Sequence, residues 1–276
     1  MYQTNTIHMS SLQISYSKEI AQELGKIAVF FPGEEVSVGD IIKFPNGKGL
    51  FKSKPVGVFS RVTTLENLGI NYKEPRESST PDSYQFSSKD SVNINFGAGT
   101  KFDSDIPNFT SSDVRLKVSL SEEGAIFFYA KDCKKSELSD IPELQDQIDD
   151  NGKSLIWEET FLVTSVTTAK KALIIQSNSK SSELELGGDI KGLQGSKIIE
   201  LDINSKIHVK KQKGNLFIKN WSDEVTVFMD VMRFTKKVFK IKNDVFEKNP
   251  FIDDNFHGNQ IELEPVKVEE IINVEF

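Results

Sequence analysis

The chain has 276 residues, 37% of them hydrophobic and 27% charged, with a formal net charge of −7 and a pI near 5.2. That composition excludes a disordered chain, and the length suffices for one large all-β or α+β domain or for two small ones. The acidic balance argues against a protein that coats nucleic acid over its whole surface.

The single cysteine, Cys133, allows no intramolecular disulfide and fits a reducing compartment. A cytoplasmic location is therefore expected, with membrane association as a conditional state. The N-terminal sequence MYQTNTIHMSSLQISYSKE has neither a basic n-region nor an apolar h-region, so no signal peptide is expected. No window holds the roughly 18–20 apolar residues that a spanning helix needs.

In chain order, residues 1–15 read as a loose or strand-like lead-in. Ser17 is placed to cap a short helix, SKEIAQELG, with Ile20, Ala21 and Leu24 on one face and Gly25 as its stop. KIAVFF (26–31) follows as a buried strand, then a strand over Val36–Phe44 and a turn at PNGKG. The Pro/Ser-rich stretch 73–91 reads as an exposed loop. VNINF (92–96), VRLKVSL (114–120) and AIFFYA (125–130) are strand-like, and SELSDIPELQDQIDD predicts a second helix over 136–150. From Trp157 the strands lengthen: FLVTSVTTAKKALIIQS, SSELELGGDI, KIIELDINSKIHVKK, NLFIKN and EVTVFMDVMRF follow one another across short turns. Short connections favour antiparallel pairing. The fold class expected is α+β and mainly β: a large twisted antiparallel sheet with two or three short helices. Residues 1–248 form a single domain and 249–276 an acidic C-terminal tail.

The boundary at 248/249 is electrostatic. Segment 206–248 holds eleven Lys/Arg against five Asp/Glu, and 249–276 holds one lysine against seven carboxylates, so +6 is followed directly by −6. The basic segment (Lys206, Lys210, Lys211, Lys213, Lys219, Lys236, Lys237, Lys240, Lys242) interleaves lysine with Phe, Trp and Ile. It reads as a solvated sheet face, as a surface for anionic lipid at about 1 kcal/mol per lysine, or, less well because arginine is scarce, as a nucleic-acid surface. The tail offers apolar Phe251, Ile252, Phe256, Ile261, Leu263, Val266, Val268, Ile271 and Ile272, with Glu262, Glu264, Glu269 and Glu270 to face the lysines.

No catalytic pattern stands out. His8, His208 and His257 are scattered, and no metal or cofactor is expected. The glycines of GGDIKGLQGSK (187–197) match neither GxxxxGK[ST] nor GxGxxG, and the stretch reads as a flexible hairpin connection. Cys133 lies among Lys131, Asp132, Lys134 and Lys135; the lysines could lower its pKa, but an ordinary strand-end cysteine is the plainer reading.

The order of elements resembles that of bacterial gasdermins, a family of pore-forming cell-death proteins. The parallel runs from SKEIAQELG-KIAVFFP, through a mid-chain helix before FLVTSVTTAKKALII and an alternating hairpin region, to NLFIKNWSDEVTVFMDVMRF and a short C-terminal extension. The resemblance implies a twisted sheet kept soluble by a C-terminal peptide, whose proteolysis releases the domain to oligomerise and insert hairpins into a membrane. It also implies a lipid-bearing cysteine near the N-terminus, and residues 1–132 hold none. The expected function is therefore a non-enzymatic, autoinhibited membrane-active protein, with residues 160–248 meeting an anionic membrane after a protease cuts the tail. The alternative is a β-rich binding or assembly module whose tail docks on a partner subunit.

Overall fold

The computed structural model describes residues 4–29, 35–44, 59–88, 90–98, 114–151, 160–188, 191–194, 197–202, 208–221, 224–236 and 261–272. It opens with helix α1 (Thr4–Leu24), followed by strands β1 (Ile27–Ala28), β2 (Asp40–Lys43), β3 (Ser60–Thr64), β4 (Arg76–Glu77), β5 (Asp82–Ser87), β6 (Val92–Ala98), β7 (Val114–Leu120) and β8 (Ile126–Glu137). Helix α2 (Ile141–Asn151) leads to β9 (Phe161–Ser177), β10 (Ser182–Gly188), β11 (Lys191–Gln194), β12 (Lys197–Asp202), β13 (His208–Lys213), β14 (Leu216–Trp221) and β15 (Val225–Lys236). The tail supplies β16 (Ile261–Pro265) and α3 (Val268–Ile271). The protein is mainly β, as the sequence predicts.

The organising strand is β9, 17 residues long. Along one edge it pairs with β8 and, at its start, with β2. Along the other it pairs with β15 and then β14. With β1, β3, β4, β5 and β16 these make a ten-stranded antiparallel sheet. A second sheet has the order β13-β10-β7-β6, and β11 pairs with β12.

Because β9 is covered on both faces, its Val, Leu, Ile and Ala run is buried almost throughout, where a half-exposed strand would alternate. Ile126, Phe128, Ala130, Ala172 and Ile174 point to α1, where Tyr16 and Ile20 pack with Phe228. Their sequence neighbours Phe127, Tyr129, Leu173 and Ile175 point the opposite way, to the small sheet. At the far end of β9, Ile41 and Leu162 pack with Leu144 and Ile148 of α2.

The fold departs from the sequence expectations in five places, one of them the strand expected over Val36–Phe44, which is confined to Asp40–Lys43. Helix α1 begins at Thr4, well before Ser17, which is buried inside it. Its serines are weak helix formers, but Tyr16, Ile20 and Leu24 recur every four residues, and their packing on the sheet overrides propensity. The 73–91 stretch contributes β4 and β5, because Tyr84 and Phe86 alternate and lie along the edge of β8. Helix α2 starts at Ile141, since Lys134–Glu137 continue β8 opposite Ser165–Thr168. The 187–197 connection contains β11. The PNGKG turn and Phe30-Phe31 lie outside the described residues.

Candidate functional site

The two sheets are built from the same two hairpins. One runs from β5 and β8 in the large sheet into β6 and β7 in the small sheet, paired from Val92↔Leu120 to Ala98↔Val114. The other runs from β9 and β14 into β10 and β13. The hairpins also pair with each other on both sides of the bend: Ile126↔Gln176 in the large sheet, Leu120↔Ser182 in the small one. Equal lengths of chain, 121–125 and 177–181, therefore make the bend without a register slip.

Each of the four strand-to-strand corners carries a left-handed residue: Asp90 (φ 57°), Gly124 (φ 88°), Ser181 (φ 64°) and Gly214 (φ 81°). Such a residue reverses the side on which the chain leaves an extended strand, which turns the ribbon over. Neighbouring corners are hydrogen-bonded in a line. Ser121 N donates to Ser91 O (2.9 Å), Gly124 N to Ser177 O (2.8 Å), Ser177 N to Ala125 O (2.9 Å) and Asn178 N to Asn215 O (2.8 Å). Hydroxyls of Ser177 and Ser182 lie 2.8 Å apart, those of Ser179 and Ser182 3.0 Å apart, and Asn215 N donates to Ser179 Oγ at 3.0 Å.

The small sheet beyond this line is amphipathic. Leu116, Val118, Leu120, Leu184 and Leu186 are at most 1% exposed and pack, with Val92 and Ile94, on Phe127, Tyr129, Leu173 and Ile175. Its outer face carries Asn93, Asn95, Lys117, Glu183, Glu185, Lys211 and Lys213, with Lys117 Nζ 3.2 Å from Glu183 Oε2. The five fully buried aliphatic residues contribute about 1.5–3 kcal/mol each, so the folded-back arrangement is strongly preferred in water.

Helix α1 lies over the corner line. Ser88 Oγ donates to Glu19 Oε2 (3.3 Å) and accepts from Ile126 N (3.0 Å), while Gln176 Nε2 donates to the Leu12 carbonyl (3.1 Å). Between helix and corners is a cavity of about 310 Å³ lined by residues that include Ser15, Glu19, Glu23, Ser91, Glu122 and Glu123. Burial, countered by the Ser88 hydrogen bond and aided by the Glu23 charge, holds the Glu19 carboxyl above the usual range.

The tail sits at the opposite end of β9. β16 pairs with β15 from Met232↔Pro265 to Lys236↔Ile261, and Arg233 in turn is opposite Phe161. At about 3.3 Å per residue, the length of β9 places this contact roughly 50 Å from the corners. Ile261 and Leu263 are buried beside Phe234, and Ile271 and Ile272 are buried beside Ile27, Val29 and Ala21. Gln145 of α2 holds the strand's backbone, donating to Ile261 O and accepting from Leu263 N at 2.9 Å. Arg233 stacks 5.6 Å from the Phe161 ring centre and is 3.1 Å from Glu270 Oε2.

Of the tail residues singled out in the sequence, Ile261 and Leu263 are core and Glu262, Glu264, Glu269 and Glu270 are exposed; Phe251, Ile252 and Phe256 lie outside the described residues. Lys211, Lys213 and Lys219 are exposed, with Lys211 opposite Glu185 and Lys213 opposite Glu183. Lys210 and Lys236 lie in β13 and β15; Lys206, Lys237, Lys240 and Lys242 lie outside the described residues. Arg233–Glu270 is an ion pair that joins the basic segment to the tail. The sequence assigns no role to the corner residues, whose signal is the Ser/Asn/Gly content of the turns; of α1 it shows the part from Ser17 as a helix, with no function attached.

Among the described residues no group of three or more His, Cys, Asp or Glu comes together that could hold a metal. Cys133 is 2% exposed, and burial, with the Asp82 and Asp132 charges, pushes its thiol up to about 12, so the neighbouring lysines do not activate it. No described helix is long and apolar enough to cross a membrane, which leaves strand-built crossings open.

No family model matches the chain, and no curated protein matches it. Among solved structures it is similar to the gasdermin A3 membrane pore, at 10% identity and a TM-score of 0.30, over 90% of this chain and 98% of that one. At that score the likeness does not define the fold.

Proposed function

We propose that the protein is a membrane-active pore former whose two hairpins are stored folded against its central sheet and kept there by the C-terminal segment. The observation that carries this reading is the amphipathic small sheet on a line of four left-handed corners. If the corners straighten, β6, β7, β10 and β13 continue the large sheet with one apolar and one charged face, as a membrane-barrel wall requires. The arm 182–194 exceeds the roughly 9–11 residues a tilted strand needs to cross the hydrocarbon core. Lipid tails would then cover the apolar face that the central sheet covers in water. Removal of the tail uncovers the β15 edge together with Phe234, Ile41 and Leu162, which favours oligomerisation. This is the mechanism that the sequence resemblance to bacterial gasdermins implies, with a protease as activator, an anionic membrane as target and a homo-oligomer as product.

The test is dye release from anionic liposomes by protein carrying an engineered protease site between residues 243 and 256. Leakage is expected after cleavage and not before; equal leakage from both forms, or none from either, would refute the proposal.

One observation favours a second reading, a β-rich assembly module. β13 is an edge strand with Val209 47% exposed, a surface on which a neighbour's strand could add. Light scattering decides: a stable oligomer formed without lipid or cleavage supports the module.

A further inference from the structure

We infer that α1 is a latch on the corner line: it must leave the corners before the hairpins straighten, and it couples the tail to the hairpins. The inference rests on the hairpins being the moving part. It adds the element that controls them.

Three observations carry it. First, α1 touches both hairpins at their bends: Glu19 is bonded to Ser88 after β5, Ser15 lies against Gly124 before β8, and the Leu12 carbonyl accepts from Gln176 near the end of β9. Through Ser88 the Glu19 bond continues to the Ile126 amide, the first residue of β8, so opening that corner breaks a relay of two hydrogen bonds. Gln176 is fully buried, and losing its bond to Leu12 would strand a buried donor.

Second, the latch is weakly made on its polar side. Glu19 and Glu23 of α1 share the cavity with Glu122 and Glu123 of the β7–β8 turn. The lining residues hold these four acidic side chains and no Lys or Arg, so attraction between α1 and the corners comes mainly from the apolar stripe led by Tyr16 and Ile20. An interface that is apolar on one side only is suited to release, whereas the interface of fully buried aliphatic residues between the sheets is not.

Third, β16 and the corners are roughly 50 Å apart along β9, too far to touch. The end of the tail comes nearer to them through the α1–β1 unit. Ala21 and Ile27 pack in one cluster with Ile271 and Ile272, and Tyr16 and Ile20, on the same helix, pack over the corner-side core. Loss of the tail removes apolar partners from the C-terminal end of α1, and the helix carries that loss to the corners.

Hydrogen exchange by mass spectrometry on the full-length protein, without lipid or cleavage, tests this apart from any pore. Glu19→Ala removes the acceptor for Ser88 and is expected to speed exchange in 121–126 and 177–182 by about three- to tenfold, the worth of one net hydrogen bond. Exchange in β3, residues 60–64, should not change. Glu19→Gln keeps an acceptor and sheds a charge, so its corners should exchange no faster than those of the wild type. Gln176→Met, which removes the other bond at similar volume, should reproduce the effect of Glu19→Ala. Unchanged corner exchange in Glu19→Ala, Glu19→Gln as open as Glu19→Ala, or faster exchange spread to 60–64 would each overturn the latch. A protein that passes this test and never leaks liposomes would refute the pore and leave the latch standing.

Discussion

Gly214 lies so close to Ser182 that a Cβ on the glycine would stand 2.6 Å from the serine hydroxyl, with Ser179 Oγ at 3.0 Å. The glycine also has φ 81°, a region that disfavours any side chain. The β13–β14 corner thus admits only glycine, and the space a side chain would fill is taken by the hydroxyls that join the corners. Gly214→Ala is expected to destabilise the fold by about 2 kcal/mol or more, from backbone strain plus a forced shift of the serines. Urea denaturation measures it. A change within error would mean that the corner is not tightly built.

Leu263 and Glu270 separate two ways of holding the tail. Leu263 is buried beside Phe234, so Leu263→Ala should cost about 2–3 kcal/mol and should leak liposomes even without cleavage. Glu270 is bonded to the Lys267 amide and to Arg233, which hold its carboxyl below the usual range, but the pair is exposed. Glu270→Ala should leave the melt almost unchanged. The reverse ranking in parallel melts would make the tail's hold electrostatic.

Asp230 gives the fold a dependence on acid. Burial raises its carboxyl, yet Ser165 Oγ at 2.8 Å and Lys135 Nζ at 3.1 Å outweigh that and hold it below the ordinary range. A depressed folded-state pKa contributes stability above the unfolded-state value, and this is lost as pH falls through the folded-state value. Asp230→Asn should therefore lower stability at pH 7 and flatten its decline toward pH 3. A mutant whose stability falls as steeply as the wild type would contradict this.

Cys133, held up to about 12 and 2% exposed, should not react with a thiol reagent at pH 8 in the native protein and should react at once in denaturant. Native labelling at the rate of a free thiol would show that the β8 core opens.

The long strands were legible in sequence because their cause is local. FLVTSVTTAKKALIIQS spans the whole of β9 by its β-branched content alone, and VRLKVSL alternates as β7 does. What lay hidden is set by contacts distant in the chain. The serines around Leu12 are poor helix formers until Tyr16 meets Phe128 at 6.3 Å, and SYQF reads as loop until β8 is beside it. The candidate site was least visible, because a corner such as Ser177–Ser182 is written in the same Ser and Asn residues as any turn. Its alignment with Gly124 exists only in the sheet. The charge step at 248/249 was plain, but in the described residues the tail is held mainly by Ile261, Leu263, Ile271 and Ile272, with one ion pair to Arg233.

The most direct test of the account places a polarity-sensitive fluorophore at Ile94→Cys or, separately, at Asn95→Cys, adjacent positions of β6. Ile94 packs toward the central sheet and Asn95 faces solvent. After cleavage of the tail in the presence of anionic liposomes, a quencher confined to the lipid tails should quench the label at 94 and leave that at 95 in water. Quenching at both positions, or at neither, would contradict the conversion of this sheet from a stored layer into a membrane wall.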